Sequence, residues 1–210
     1  MAKLKAPLLS LGASGSIAKT LTFFNWKGIN VVREWVSPAN PNTALQQVQR
    51  GYLTTLVDAV HASQARATFP LVQVDQVAYS ALASTLARVM TWFNMACKLG
   101  IDALRLSDGY CVYSNGMLVD ADKDDFRPRV YFTDNGVLQV ADGKFFLGTT
   151  PTSLIQSETA VINPAVHAEL NALNGFSGLT AGSKYYWQFR PDAADPCEGS
   201  DSGIYYGYAT

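Results

Sequence analysis

Pro38 and Pro41 stand three residues apart in the stretch SPANPNT, residues 37–43. No regular element can run through them. Each proline lacks a backbone donor and pushes the residue before it toward extended geometry. The break separates two textures. Before it, residues 17–26 and 29–36 are rich in β-branched and aromatic side chains, with Lys27–Gly28 between them. That pattern predicts a β-hairpin closed by a tight turn. After it, Asn42 or Thr43 can cap a helix to about Arg66, with Leu45, Val48, Tyr52, Leu53, Leu56 and Val60 at helical spacing. A second helix is expected over residues 75–99, with Asp75 as its N-cap and Gly100 as its stop. The two helices are expected to form a hairpin packed on the N-terminal strands.

Beyond Gly100 the helical period disappears. Residues 101–119 mix apolar pieces with the turn signals Asp108–Gly109 and Asn115–Gly116. The polar, proline-bearing run at 120–127 reads as a linker. Strands are then expected at 130–133, 137–141 and 144–148, separated by Asn135–Gly136 and Asp142–Gly143. A short capped helix is expected at 163–173, and two aromatic strands at 184–190 and 204–209. The fold class expected is α+β: a strand hairpin with two helices over 1–119, a linker at 120–127 and a small β-sandwich over 128–210.

Composition narrows the function classes. Of 210 residues, 48% are apolar and 16% charged, which supports a folded core and argues against a largely disordered chain. No apolar run reaches the roughly 18 residues of a membrane span, and Pro7, Ser10 and Gly12 interrupt any signal-peptide core. Formal net charge is −1 but unevenly spread: residues 1–66 hold seven basic and two acidic side chains, residues 120–210 six and twelve. Such asymmetry marks a basic arm that meets an opposite charge, on nucleic acid or on the acidic half of a neighbouring copy, or else an ordinary solvated surface.

Motifs for catalysis are missing from the local sequence. Cys97, Cys111 and Cys197 are odd in number and widely spaced, and read as reduced thiols. Asp120, Asp122, Asp124 and Asp125 begin like a calcium loop, but the sixth and twelfth loop positions are Asp125 and Tyr131 instead of glycine and glutamate. No metal and no cofactor are expected. His61 and His167 each stand alone in a segment expected to be helical, and Gly12–Ser16 lacks the lysine and hydroxyl of a phosphate loop. The 24 aromatic residues crowd toward the C-terminus. Trp187, Tyr205, Tyr206 and Tyr208 are therefore candidates for an exposed adhesive face, to be weighed against a simple sandwich core.

Two stretches carry a resemblance. Residues 9–51, with the SGSI-K-LTF strand, the WKG turn, the VR strand, the PANPNT breaker and the QQ-Q-R helix start, resemble a segment common in tailed-bacteriophage and prophage proteins; residues 75–94 fit the same pattern. This implies a non-enzymatic virion protein, made in the host cytoplasm and assembled into the particle. Residues 179–191 resemble the turn and penultimate strand of fibronectin type III and immunoglobulin-like domains, with Leu179, Gly182 and Tyr185 at that family's tyrosine corner. The function expected is a capsid decoration or cement protein. Its partners would be the major capsid protein and neighbouring copies of itself in a homo-oligomer, without membrane or nucleic acid. Phe23, Phe24, Trp26, Lys27, Arg33 and Trp35 would dock, helped by Lys3, Lys5 and Lys19. A tail or neck component and a carbohydrate-binding adhesion module are the alternatives.

Overall fold

A computed structural model describes residues 3–4, 13–27, 29–37, 39, 42–87, 89–134, 138–164 and 166–210. Lys5, Gly12, Gly28, Pro38, Pro41, Asn135, Gly136 and Val137, which carry expectations above, lie outside the described residues. The chain divides into two compact units, Met1–Ala44 and Leu45–Thr210. Among the described residues no helix is long and apolar enough to cross a membrane. The whole is mixed α+β, with helices, antiparallel sheets and a sandwich-like arrangement.

The first unit is an antiparallel sheet of β1 (Lys3–Leu4), β2 (Ala13–Ile17), β3 (Leu21–Trp26) and β4 (Ile29–Glu34), in that order. Ala18 and Lys19 turn the chain between β2 and β3 with φ of 46° and 54°, and the Thr20 hydroxyl closes the turn on Ile17 O at 2.8 Å. Trp26 pairs with Ile29, so Lys27 and the next residue alone join β3 to β4. Lys27 has φ of 51°, the positive value a two-residue turn of right-handed twist requires.

The second unit opens with α1 (Ala44–Gln64), α2 (Gln73–Thr85) and α3 (Trp92–Arg105). Two helices were expected from the sequence; the second is in fact two. Ala87 takes a φ of 51° after α2, and Thr91 restarts the chain as the N-cap of α3, its hydroxyl accepting from Asn94 N at 3.3 Å. Asp75 is not the N-cap of α2 but lies in its first turn, where Oδ2 accepts from Val72 N at 2.8 Å. Gly100 does not end a helix either. It lies within α3 where Leu56 of α1 presses in, and a Cβ there would sit 2.3 Å from Leu56 Cδ2.

Among the described residues eight strands follow: β5 (Cys111–Asp122), β6 (Asp125–Asp134), β7 (Gly143–Gly148), β8 (Gln156–Thr159), β9 (Val161–Asn163), β10 (His167–Glu169), β11 (Lys184–Pro191) and β12 (Tyr205–Tyr208). They form two antiparallel sheets, β5-β6-β10-β9 and β12-β11-β7-β8. The core joining them includes Tyr113, Phe126, Phe132, Phe145, Trp187 and Phe189. Another core places Leu56, Val60, Tyr79, Leu82 and Met95 of the helices against Val112 and Ile204. Tyr113 N donates to the Tyr79 hydroxyl at 3.0 Å and Ile204 N to Ala78 O at 3.0 Å, so α2 is tied to both sheets.

Four expectations fail here for physical reasons. The linker at 120–127 is the tip of the β5–β6 hairpin, with Asp122 opposite Asp125 and Lys123–Asp124 as its turn. Charge made it read as a linker, but the same composition suits an exposed two-residue turn. The helix expected at 163–173 is β9, a turn and β10: Val166 N donates to Asn163 O at 3.1 Å, and pairing of His167 with Tyr131 outweighs local propensity. Asn115–Gly116 is a bulge inside β5, not a chain reversal; Asn115 has φ of 49° and the register slips between Ser114 and Met117. Residues 138–142 also form no strand, their Ala141 and Asp142 amides being held instead by Asp195 Oδ2 at 2.8 Å each.

Candidate docking surface

Pairing of β3 with β4 sets the expected docking residues side by side. Phe23 lies opposite Val32, Phe24 opposite Val31 and Trp26 opposite Ile29. Phe23 is buried, Phe24 and Trp35 are half-buried, and Trp26, Lys27 and Arg33 are exposed. The Arg33 guanidinium lies 5.2 Å from the Phe24 ring centre, and the Lys19 ammonium 6.0 Å from that of Trp35. Each basic group thus lies near an aromatic ring, where cation–π attraction orients it. Trp26, Ile29 and Val36 expose 61%, 67% and 65% of their surface. Among the residues of this unit whose burial is described, only Phe23 is buried. β4 is an outer strand of its sheet, so among the described residues one side of its backbone has no strand partner.

The C-terminal aromatics divide by strand parity. Trp187 and Tyr205 face the core, 1% and 3% exposed, with rings stacked at 4.5 Å. They are not surface adhesion residues, because burial of their rings joins the two sheets. The Tyr205 hydroxyl donates to Asp75 Oδ1 at 2.9 Å, and the same oxygen accepts from Gly116 N at 3.1 Å. Burial pushes the phenol of Tyr205 well above its ordinary range. Tyr206 and Tyr208 point outward, both 55% exposed. The Lys184 ammonium sits 3.8 Å from the Tyr206 ring centre and 4.8 Å from that of Tyr186. Hydrogen bonding to Tyr186 raises the Lys184 pKa, which keeps its charge through neutral pH. Lys184 is the residue sequence reasoning missed on this face; its place on the same strand as Tyr186 is the signal that marks it.

A cleft of about 410 Å³ opens nearby, bordered by Val74 and Val77 of α2, Met117 of β5 and Tyr206 of β12. Its border is mainly apolar. Asp120 accepts from Asp122 N at 3.0 Å and pairs with Arg127 at 2.9 Å; the Asp122 amide first, then Arg127, hold its carboxyl below the usual range. Arg127 also reaches Asp125, and Lys123 pairs with Asp124, so three of the four aspartates at this hairpin tip are ion-paired. Among the described residues no group of three or more histidine, cysteine and carboxylate side chains is placed to hold a metal. His61 is exposed on α1, and His167 lies on β10 near Glu169 and the Tyr131 ring, not in a helix. The three cysteines are buried, and desolvation raises the Cys97 thiol.

The tyrosine corner read from the sequence has its hydrogen bond: the Tyr185 hydroxyl accepts from Thr180 N at 3.0 Å, Leu179 is buried, and Gly182 has φ of 76°. No family model, no curated protein and no solved structure matches the chain.

Proposed function

We propose that this chain is a non-enzymatic structural protein of a tailed-phage virion, a capsid decoration or cement protein that binds coat subunits through its Met1–Ala44 unit. The observation that carries the reading is the state of that unit. It is a hydrogen-bonded four-stranded sheet in which, among the residues whose burial is described, only Phe23 is buried while Trp26, Ile29 and Val36 are exposed. Side chains left exposed do not offset the ordering entropy of their strands, roughly 1–2 kcal/mol per residue for the backbone alone. A partner surface supplies the missing burial, and the outer β4 strand offers main-chain groups for strand addition. The resemblance of residues 9–51 to phage segments supports a partner within a particle. The Leu45–Thr210 unit, with two packed sheets and the Tyr185 corner, supports an immunoglobulin-like module that projects from the shell. Binding that exists only in the assembled state stabilises the shell by mass action.

Quantitative mass spectrometry of purified virions tests the reading. Copies in the hundreds, relative to the major coat protein, support decoration. A few dozen or fewer move the chain to the neck or tail, and none at all removes the structural function. A second reading rests on Lys184, Tyr206 and Tyr208, which set a cation beside two exposed rings suited to stacking on sugars. Binding on a glycan array that is lost in a Tyr206→Ala/Tyr208→Ala variant would favour host adhesion.

A further inference from the structure

Strand β11 has two faces. Tyr185, Trp187 and Phe189 fill the core between the sheets, so Gln188 and Arg190 turn to the opposite side. There a second cleft, of about 340 Å³, lies among α2, α3 and β11. Leu82, Met95 and Ile204, all buried, line its inner part, and Leu86, 49% exposed, stands at its mouth. Two opposite charges share the cleft with this apolar wall, Arg190 and Asp201, both half-buried. They do not form an ion pair with each other. Fully buried Gln188 donates from Nε2 to Ser202 O at 2.7 Å and accepts from Arg190 Nε at 2.9 Å. The Phe146 ring centre lies 4.6 Å from the Arg190 guanidinium carbon. A buried amide and an aromatic face thus hold Arg190 in place, while its two terminal nitrogens make no hydrogen bond among the described residues. The Asp201 carboxylate accepts none there either.

A carboxylate and a guanidinium left apart in one cleft lose solvation without the return of a direct pair. A ligand that carries both charges gives each of them a partner. We infer that this cleft binds a zwitterionic α-amino acid with an apolar side chain, Asp201 taking the ammonium, Arg190 the carboxylate, and Leu82 and Met95 the side chain. The two protein charges select against simpler ligands. A plain cation would be drawn to Asp201 but repelled by Arg190, and a plain anion the reverse. An α-amino acid holds both charges on one carbon, within reach of both groups from a single cleft, whereas a peptide carries them at opposite ends. The volume lies at the small end of ligand pockets, roughly 300–1,000 Å³, which suits one amino acid. Gln188 is the positioning residue: it makes no charge contact of its own, and it fixes the guanidinium before the ligand arrives. The inference stands apart from the virion reading, which rests on the Met1–Ala44 unit, so either can fail without the other.

Calorimetric titration of the full chain with L-leucine and L-methionine tests it, against analogues that each lack one group. N-acetyl-L-leucine has no ammonium, L-leucinamide no carboxylate and glycine no side chain. At least one of the two amino acids is expected to bind with a Kd of about 1 mM or tighter, and each analogue roughly tenfold or more weakly than that ligand. Asp201→Asn keeps the shape of the side chain and removes its charge. It is expected to weaken binding by roughly tenfold or more. The substitution relieves a desolvated carboxylate, so a thermal midpoint at or above that of the parent chain shows that lost binding is not lost folding. Amide shifts in NMR spectra on adding the amino acid are expected at Leu86, Thr152 and Asp201, which border the cleft. Absence of binding by both amino acids at about 10 mM overturns the inference. N-acetyl-L-leucine binding as tightly as L-leucine overturns it too, since Asp201 would then meet no ammonium. So do shifts confined to residues outside the cleft.

Discussion

Asp75 is a residue on which three elements of the second unit converge. It is fully buried, and its two oxygens accept from Val72 N, Gly116 N and the Tyr205 hydroxyl. One carboxylate thereby caps a helix, holds a strand bulge and anchors a sheet. Asp75→Ala strands three donors at once, the buried Tyr205 hydroxyl among them, and the expected loss is about 3 kcal/mol by chemical denaturation. Asp201 behaves in the opposite sense. Burial raises its pKa, and the charge of Arg190 only partly offsets this. A carboxyl with a raised folded pKa holds its proton in the native state after the unfolded chain has released it. Stability is then greatest below the unfolded value of about 4 and falls as pH rises through the folded pKa. Asp201→Asn is expected to raise the thermal midpoint at pH 7.5 and to leave it unchanged near pH 4. A scan showing equal effects at both values would remove desolvation as the cause.

At the scale of elements, glycines separate what local propensity decides from what packing decides. Gly51 lies in α1 with nothing within 4 Å of where a Cβ would stand. Gly51→Ala is expected to stabilise the helix by about 1 kcal/mol, read as increased helicity and a higher midpoint. Gly203 is the contrary case. A Cβ there would lie 2.7 Å from Ala78 C and 2.8 Å from Tyr79 N, on the backbone of α2. Backbone cannot rotate aside as a side chain can, so Gly203→Ala is expected to cost about 1–3 kcal/mol, with the Ile204–Ala78 hydrogen bond weakened. The sequence shows both glycines as equals. Likewise Asp108–Gly109, Asn115–Gly116 and Asp142–Gly143 all read as turns, and the first does lie in the α3–β5 connection. The second is a bulge, because positive φ is needed in a bulge as in a reversal. The third runs directly into β7, with Gly143 as its first residue.

For the whole molecule, burial predicts the order in which the parts open. The second unit has two clusters built on large side chains such as Trp187, Tyr79 and Phe132. Among the residues of the first unit whose burial is described, Phe23 alone is buried. In hydrogen exchange, the amides of β3 and β4 are expected to exchange through local opening of low free energy, while those of β6 and β11 exchange only with global unfolding. Addition of the coat partner should slow the β4 amides selectively if strand addition is the mode of docking. Protection of β3 and β4 equal to that of β11 in the isolated chain would contradict the coreless character on which the proposed function rests.

The sequence by itself determined much of what depends on neighbours along the chain. The two runs at 17–26 and 29–36 hold β3 and β4, with Lys27 at positive φ between them, and the aromatic runs at 184–190 and 204–209 hold β11 and β12. Leu179, Gly182 and Tyr185 announced a hydrogen bond that spans five residues. Tertiary structure alone decided what depends on distant residues. Thr91 breaks a helix because it can cap the next one, Asn163–Glu169 joins a sheet because β6 is there to pair with, and Trp187 and Tyr205 turn inward while Tyr206 and Tyr208 do not. The apolar face of α1 was legible as a stripe, but not that Leu56 and Val60 are buried while Leu45 and Val48 are exposed. Periodicity records which side of a helix avoids water, whereas coverage depends on what folds, or assembles, against it.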